Sequence, residues 1–139
     1  MRVINAEGCV LGRMAVEVAK LARSGEEVAV VNAERAIISG ARDAVFHKYE
    51  VRRHRGCPEH GPFFPRGPAE IVRRSVRGMV QIRSPEGKQA FSRVKVYVGV
   101  PEEFKDKKLE VFGKTADKID CEFVLIGELS KHLGYDYGK

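Results

Sequence analysis

The residues of this sequence that could hold a polyanion are concentrated in its middle third. From His47 to Lys95, twelve basic residues stand against four acidic ones, whereas the rest of the chain has thirteen basic and fifteen acidic residues. Most of the twelve are arginine, whose planar guanidinium contacts phosphate in a bidentate manner and stacks on bases. This clustering predicts a surface that binds a polyanion, of which RNA is one, formed by Lys48, Arg52, Arg53, Arg55, Arg66, Arg73, Arg74, Arg77, Arg83, Lys88, Arg93 and Lys95.

Three ring-bearing side chains of the same segment could stack on unpaired bases, namely His54, Phe63 and Phe64. The two phenylalanines lie in the stretch 56–68, where the density of glycine and proline excludes a regular helix or strand. Unpaired RNA bases commonly stack on aromatic rings. Packing of Phe63 and Phe64 against the protein's own core is an equally good interpretation, so both remain open.

Motifs for metal or dinucleotide binding are incomplete. His54, Cys57 and His60 stand at three-residue spacing, but a closed structural zinc site needs four ligands. Gly8 and Gly12 lie near the start of a predicted strand–helix–strand unit, yet the third glycine of the dinucleotide fingerprint is missing. The sequence therefore predicts neither a bound metal nor a cofactor.

Catalytic motifs are also incomplete. Gly113-Lys114-Thr115 copies the end of a phosphate-binding loop, but Lys108 stands where its first glycine is required. The three cysteines are widely spaced and odd in number, which is typical of free thiols in a reducing compartment. We expect no catalytic residues and no small-molecule substrate; a nucleotide-dependent enzyme on a Rossmann-like sheet is the alternative.

Length and hydropathy restrict the class of protein further. A chain of 139 residues is long enough for one domain with a real core, so we expect one domain over residues 1–139. The longest apolar runs are too short to cross a bilayer, and the N-terminus lacks the apolar core of a signal peptide. These features predict a cytoplasmic protein without membrane contact.

The first thirty residues predict a βαβ unit. Arg2 to Ala6 reads as a strand, and Val28 to Val31 is a continuous apolar run that is typical of a strand buried on both sides. Between them, apolar residues follow helical spacing, and Gly25 suits the end of the helix. The buried face predicted for this helix consists of Leu11, Met14, Ala15, Val18, Ala19 and Ala22. Strand, helix and strand over this length indicate a parallel sheet.

The basic segment is predicted to contain two helices joined by the glycine- and proline-rich loop. The first runs from about Ala41 to His54, and the second runs from Ala69 to Val80 with Val72, Val76 and Met79 on its buried face. At about 100° per residue, Arg73, Arg74 and Arg77 lie on the side of the second helix opposite its buried face. Phosphate binding is favoured there because ordinary solvated helix faces mix charges of both signs.

The remainder of the chain contains two further predicted elements. Val94 to Val98 alternates apolar and polar residues and reads as a strand, after a short turn or helix between Pro85 and Gly87. Phe123 to Leu133 is predicted to be helical, with Ile126, Leu129 and Leu133 on the core side.

Several motifs, taken in order along nearly the full chain, resemble the universal large-subunit ribosomal protein L13 family in its archaeal and eukaryotic branch. They are Val3 to Gly8, Leu11 to Ala15, Ile38 to Gly40, Gly61 to Arg66, Arg74 to Val80, Arg93 to Tyr97, Gly99 to Pro101 and Gly127 to Ser130. Asn5 departs from the aspartate that is more usual in the family. The end of the chain at Lys139 is typical of the archaeal type.

The resemblance implies a fold and a function. The fold is a three-layer α/β/α arrangement around a mainly parallel four-stranded sheet, Rossmann-like, with a basic loop–helix insertion. The function is that of a structural constituent of the cytoplasmic large ribosomal subunit, which binds large-subunit ribosomal RNA and supports subunit assembly and translation. The implied partners are that RNA and neighbouring large-subunit proteins.

Overall fold

The computed structural model describes residues 1–113 and 115–136, so Lys114 of the phosphate-loop-like sequence lies outside the described part. In chain order, the elements are β1 (Arg2–Asn5), α1 (Leu11–Arg23), β2 (Val28–Val31), β3 (Ile37–Ser39), α2 (Arg42–His54), α3 (Pro68–Met79), α4 (Pro85–Ser92), β4 (Val94–Val96), β5 (Leu109–Glu110), β6 (Phe123–Leu125) and α5 (Ile126–His132). One-turn 3₁₀ helices cover Ala33–Arg35, Glu102–Phe104 and Ala116–Lys118.

A four-stranded sheet in the order β4-β2-β1-β5 forms the centre of the fold, and every pairing in it is parallel. Arg2 of β1 lies opposite Val28 of β2, and Val28 lies opposite Val94 of β4. All four residues of β2 are buried, because this strand has a neighbour on each side and is covered on both faces. The predicted α/β fold with four parallel strands is confirmed.

Helix α1 forms the crossover between β1 and β2, and its six predicted core residues are all buried. The chain leaves this helix through Gly25, whose φ of +99° is readily adopted only by glycine. The Gly25 amide donates to the Ala22 carbonyl, and the next amide donates to the Leu21 carbonyl. This end of the helix is therefore the glycine terminus that the sequence predicts.

The hydrophobic core divides between the two faces of the sheet. The larger cluster joins Ile4, Val28 and Val30 of the sheet to residues of α1, α2, α3 and α5. The smaller cluster, on the other face, centres on Phe104 beneath Ala29 and Val31. Helices thus cover one face fully, and the 3₁₀ turn at Phe104 forms a thin layer on the other, consistent with the predicted three layers.

Asn5 ends β1 and fixes the start of the segment after β2. Its Oδ1 accepts hydrogen bonds from Asn32 Nδ2 at 2.9 Å and from the Glu7 amide at 3.1 Å. Asn32 is held in the left-handed conformation, with φ of 56°. A carboxylate oxygen would accept the same two bonds, so an aspartate at this position would preserve this contact.

The prediction of one helix from Phe123 to Leu133 is wrong in its first three residues. Phe123 to Leu125 form β6, which pairs antiparallel with β3 in a separate two-stranded sheet. Only the middle residue, Val124, is buried, as expected of a strand with alternating faces. The helix begins at Ile126, and Ile126, Leu129 and Leu133 are buried as predicted.

The buried face of α3 differs from the predicted one at its end. Ile71, Val72 and Val76 are buried, whereas Met79 is 36% exposed. The helix packs on α1, β4 and α5 together, which turns its apolar face toward Ile71 and leaves its last residue outside the core. The prediction of Met79 as a core residue is therefore wrong, and Ile71 belongs to the core instead.

This orientation of α3 can be tested with two truncations. Ile71→Ala should lower the free energy of unfolding by about 2–5 kcal/mol, because it removes most of a side chain that is 1% exposed. Met79→Ala should cost less than about 1 kcal/mol, since its side chain already contacts water. Urea unfolding of the two variants measures both values, and equal losses would contradict the described rotation of the helix.

Candidate nucleic-acid interface

The loop between α2 and α3 folds back on itself at its start. The Gly61 amide donates to the Cys57 carbonyl at 2.9 Å, and these two residues form an isolated antiparallel bridge. Gly56 makes this fold possible, because it has φ of +88° and a Cβ there would lie 2.2 Å from the Gly61 carbonyl oxygen. The first half of the loop is thus a closed, hydrogen-bonded turn.

Helix α5 contacts the end of the loop and the middle of α2. The Ser130 hydroxyl, which is fully buried, donates to the Arg66 carbonyl at 2.6 Å. His132 stacks on Phe46 with ring centroids 4.4 Å apart and hydrogen-bonds the Glu50 carboxylate at 2.5 Å. These contacts connect α2, the loop and α5 into one support.

Phe64 is the centre of the candidate interface. Its half-buried ring packs on the core and meets Tyr49 edge-on, with centroids 5.6 Å apart. The Arg74 guanidinium carbon lies 4.6 Å from the Phe64 ring centroid, and that of Arg52 lies 5.8 Å away. One ring thus supports arginines from both α2 and α3.

The two phenylalanines that the sequence could not separate have different surroundings. Phe64 packs within the protein, whereas Phe63 is 66% exposed, and its carbonyl accepts a 3.5 Å hydrogen bond from Arg74. Phe63 therefore offers a free ring face at the surface, and Phe64 serves as a platform beneath two guanidinium groups.

Three cavities follow one another along this surface, and we name them by position. The loop cavity, of about 530 Å³, includes Arg53, His54, Arg55, Phe63 and Arg66 in its lining. The central cavity, of about 400 Å³, is lined by Tyr49, Arg52, Arg55, Pro62, Phe64, Ile71, Arg74, Ser75 and Gly78. The helix-end cavity, of about 460 Å³, is lined by Arg77, Gly78, Gln81, Ile82, Arg83 and Ser84.

Neighbouring cavities share lining residues, and the three together are called the arginine groove. Arg55 and Pro62 line both the loop cavity and the central cavity, and Gly78 lines both the central and helix-end cavities. Ten of the fifteen predicted binding residues line this groove: Arg52, Arg53, His54, Arg55, Phe63, Phe64, Arg66, Arg74, Arg77 and Arg83. The structure brings them together from α2, the loop, α3 and the following turn.

The other five predicted residues lie outside the groove. Arg73 turns toward α4, with its guanidinium carbon 4.6 Å from the Phe91 ring centroid. Arg93 donates to the Ala22 carbonyl at 3.2 Å and so closes the end of α1. Lys48, Lys88 and Lys95 are exposed but line none of the three cavities.

Within residues 1–113 and 115–136, no groove arginine forms an ion pair with a carboxylate. Elsewhere on the surface, Arg2 pairs with Glu26 at 2.7 Å, Arg35 with Glu7 at 2.8 Å, and Arg42 approaches Glu128 at 4.0 Å. Glu50 also lines the loop cavity, but its carboxylate bonds His132, so among the described residues the groove arginines keep their charge without a carboxylate partner.

Tyr49 adds no negative charge to the groove, and Arg53 offers it an unused hydrogen-bond donor. Burial raises the pKa of Tyr49, although neighbouring Arg52 lowers it in part, so the phenol carries no negative charge at neutral pH. The Nε of Arg53 is buried and, in the described part of the chain, lacks a hydrogen-bond partner. An N–H donor in this state favours an acceptor-rich ligand in the loop cavity.

Sequence reasoning missed three residues that shape the groove. Tyr49 stands four residues after Val45 and shares its buried face, a helical spacing that could have revealed it. Gly78 is a glycine inside a helical pattern, which is a recognisable signal. Ser75 lines the central cavity through its place on α3, and only the orientation of that helix shows this.

Other chemistry finds little support in the described residues. They contain no group of three or more His, Cys, Asp or Glu side chains that could hold a metal ion. Cys9 is buried, and burial raises the pKa of its thiol while a backbone hydrogen bond at Phe112 lowers it in part. In the same residues, no helix combines the length and apolar character that a bilayer crossing requires.

Comparison with known proteins identifies the family. A model of the ribosomal protein L13 family matches residues 1–103. Proteins named large ribosomal subunit protein uL13 are 46% identical in Methanococcoides burtonii, 44% in Methanocaldococcus jannaschii and 40% in Archaeoglobus fulgidus. Each alignment covers 96% of this chain, and 98%, 98% and 87% of the respective relative. The chain therefore belongs to the ribosomal protein L13 family.

This membership decides between the two classes of function that the sequence left open. The relatives are named as ribosomal proteins and not as enzymes. The prediction that the chain is not an enzyme is confirmed, and the nucleotide-dependent enzyme is set aside.

The closed turn of the loop can be tested by adding one methyl group. Gly56→Ala should force the turn open, because the new Cβ would overlap the Gly61 carbonyl. We expect trypsin to cleave after Arg66 roughly tenfold faster than in the unaltered protein, since proteolysis follows the population of the opened form. Limited proteolysis followed by mass spectrometry measures this rate.

Gly25→Ala is the matched control for this substitution. Gly25 also has a positive φ, but its Cβ would meet no described atom within 4 Å. The control carries the backbone strain without the overlap, so its cleavage after Arg66 should stay near the original rate. Equal acceleration in both variants would contradict the closed turn.

Proposed function

We propose that this protein is a structural constituent of the cytoplasmic large ribosomal subunit and binds large-subunit ribosomal RNA through the arginine groove. In this role it supports subunit assembly and translation, beside neighbouring large-subunit proteins, and it needs no cofactor. The binding is electrostatic and geometric: guanidinium groups contact phosphates and release counterions, and exposed rings stack on unpaired bases.

The observation that carries this proposal is the set of groove arginines without carboxylate partners. Charges added only for solubility would be dispersed and mixed in sign. Here Arg52 and Arg74 are held over the Phe64 ring, which fixes their direction before any partner arrives. Arginines that are fixed in place and not neutralised suit a polyanion with regularly spaced charges, and family membership supports ribosomal RNA as that polyanion.

Removal of three groove arginines should lower the salt dependence of RNA binding. Arg55, Arg66 and Arg77 are exposed, and in the described part of the chain they form neither an ion pair nor a ring contact. Their joint replacement by alanine should therefore preserve the fold. Filter binding of deproteinised large-subunit ribosomal RNA at several KCl concentrations should show a slope flatter by about two units.

A charge-matched control replaces Arg2, Arg35 and Arg42 by alanine. These arginines lie outside the groove and pair with carboxylates at the surface, where such pairs contribute little to stability. The control loses the same three charges but should keep the original slope. If both triple variants changed the slope equally, net charge rather than the groove would bind the RNA. An unrelated RNA of the same length that bound equally well would instead indicate a general RNA chaperone.

A further inference from the structure

We infer that an unpaired RNA strand crosses α3 at Gly78, with one nucleotide in the central cavity and a neighbouring nucleotide in the helix-end cavity. The inference rests on the proposed function, because it assigns an occupant and a direction to part of the arginine groove. Gly78 of α3 is the first observation behind it, because no contact within the described protein requires a glycine there.

Gly78 lies in α3, one residue before the helix ends, and glycine is a poorer helix former than alanine. A glycine at a helix end usually serves a left-handed turn, but here Gln81 takes the positive φ, and Gly78 keeps a negative one. A glycine can also make room for a neighbour. At Gly56 and Gly87 a Cβ would lie 2.2 Å from a backbone oxygen, whereas at Gly78 it would have no described atom within 4 Å.

Neither the backbone nor the packing of the free protein therefore requires glycine at position 78. The remaining explanation for the glycine is the open space outside the helix, which a side chain at this position would partly fill. Gly78 lines both the central and the helix-end cavity, and a side chain there would extend into open space beside the surface that they share. A bare helix surface at this point suits a ligand that passes from one cavity to the other in contact with the backbone.

Both cavities have the composition that nucleotides require. The central cavity combines exposed Pro62 and the half-buried Phe64 ring with the guanidinium groups of Arg52 and Arg74. The helix-end cavity combines Ile82 with Arg77 and Arg83. In each, apolar surface suits a base and arginines suit the flanking phosphates, which is the pattern of single-stranded nucleic-acid sites.

The occupant is an unpaired strand rather than a duplex, because of the size of the cavities. Volumes of about 400 and 460 Å³ lie within the range of small-molecule pockets and suit one nucleotide each. A paired helix keeps its bases stacked inside, so it could present its backbone and base edges to such cavities but no free base face. Bases must be splayed out to enter them.

The test uses the full chain with Gly78→Ala and Gly78→Leu. In the free protein, Gly78→Ala should raise Tm by about 2–6 °C, because alanine favours the helix. For decauridylate, a ten-nucleotide single strand, affinity should fall about tenfold with alanine and further with leucine, since each added side chain occupies the path of the strand. Greater stability with weaker binding is a combination that a merely structural glycine would not produce.

Gly12→Ala is the matched control, because Gly12 is a helical glycine of α1 whose Cβ would likewise meet no described atom within 4 Å. It lies outside the arginine groove, so it should leave affinity for decauridylate unchanged. A ten-base-pair RNA duplex is the second probe, and the Gly78 variants should affect its weak binding by less than twofold.

The possible results separate this inference from the proposed function. If the unaltered protein bound neither ribosomal RNA nor decauridylate, the proposed function would fail. If it bound ribosomal RNA and the Gly78 variants bound both RNAs as tightly, only the crossing at Gly78 would be overturned. If the Gly78 variants lost affinity for the duplex as strongly as for decauridylate, the occupant would not be an unpaired strand. If decaglutamate competed as well as decauridylate, the occupant would not be RNA.

Discussion

The packing of the Phe64 ring against Tyr49, beneath Arg52 and Arg74, is the interaction on which the proposed interface depends. An arginine side chain loses about 2 kcal/mol of rotamer entropy when it is fixed, so a free arginine is a poor pre-formed ligand. Contact with an aromatic face returns about 0.5–1 kcal/mol at exposed sites and about 2 kcal/mol where water is excluded. One ring, held by the loop, thereby orients guanidinium groups from two helices.

The rest of the fold serves this arrangement by fixing the rotation of α3. Ile71, Val72 and Val76 bury one side of the helix against α1, β4 and α5. Because side chains three and four residues apart share a face, this rotation places Arg74 and Gly78 along the central cavity. The concentration of like charge lowers the free energy of unfolding of the free protein, because the arginines repel one another. A bound polyanion would remove that repulsion. The large hydrophobic core on one face of the sheet offsets this destabilisation.

Much of the fold and most of the groove could be predicted from sequence, because they depend on local patterns. Helical spacing gave the buried face of α1, and arginine density located the groove. The pairing of β3 with β6 escaped prediction, since Ile37 and Leu125 are distant in sequence and short apolar runs suit either helix or strand. The different surroundings of Phe63 and Phe64, and the turn of Arg73 toward Phe91, depend on tertiary packing that no sequence period encodes.

Hydroxyl-radical footprinting of the protein, free and bound to deproteinised large-subunit ribosomal RNA, tests the central claim most directly. It reports the solvent access of individual side chains without any substitution. The account predicts strong protection of Phe63 and Pro62 in the groove, and little change at Val111 and Phe123, which are exposed on other parts of the surface. Protection of Val111 and Phe123 with Phe63 still reactive would contradict the account, because the RNA would then lie on a different face.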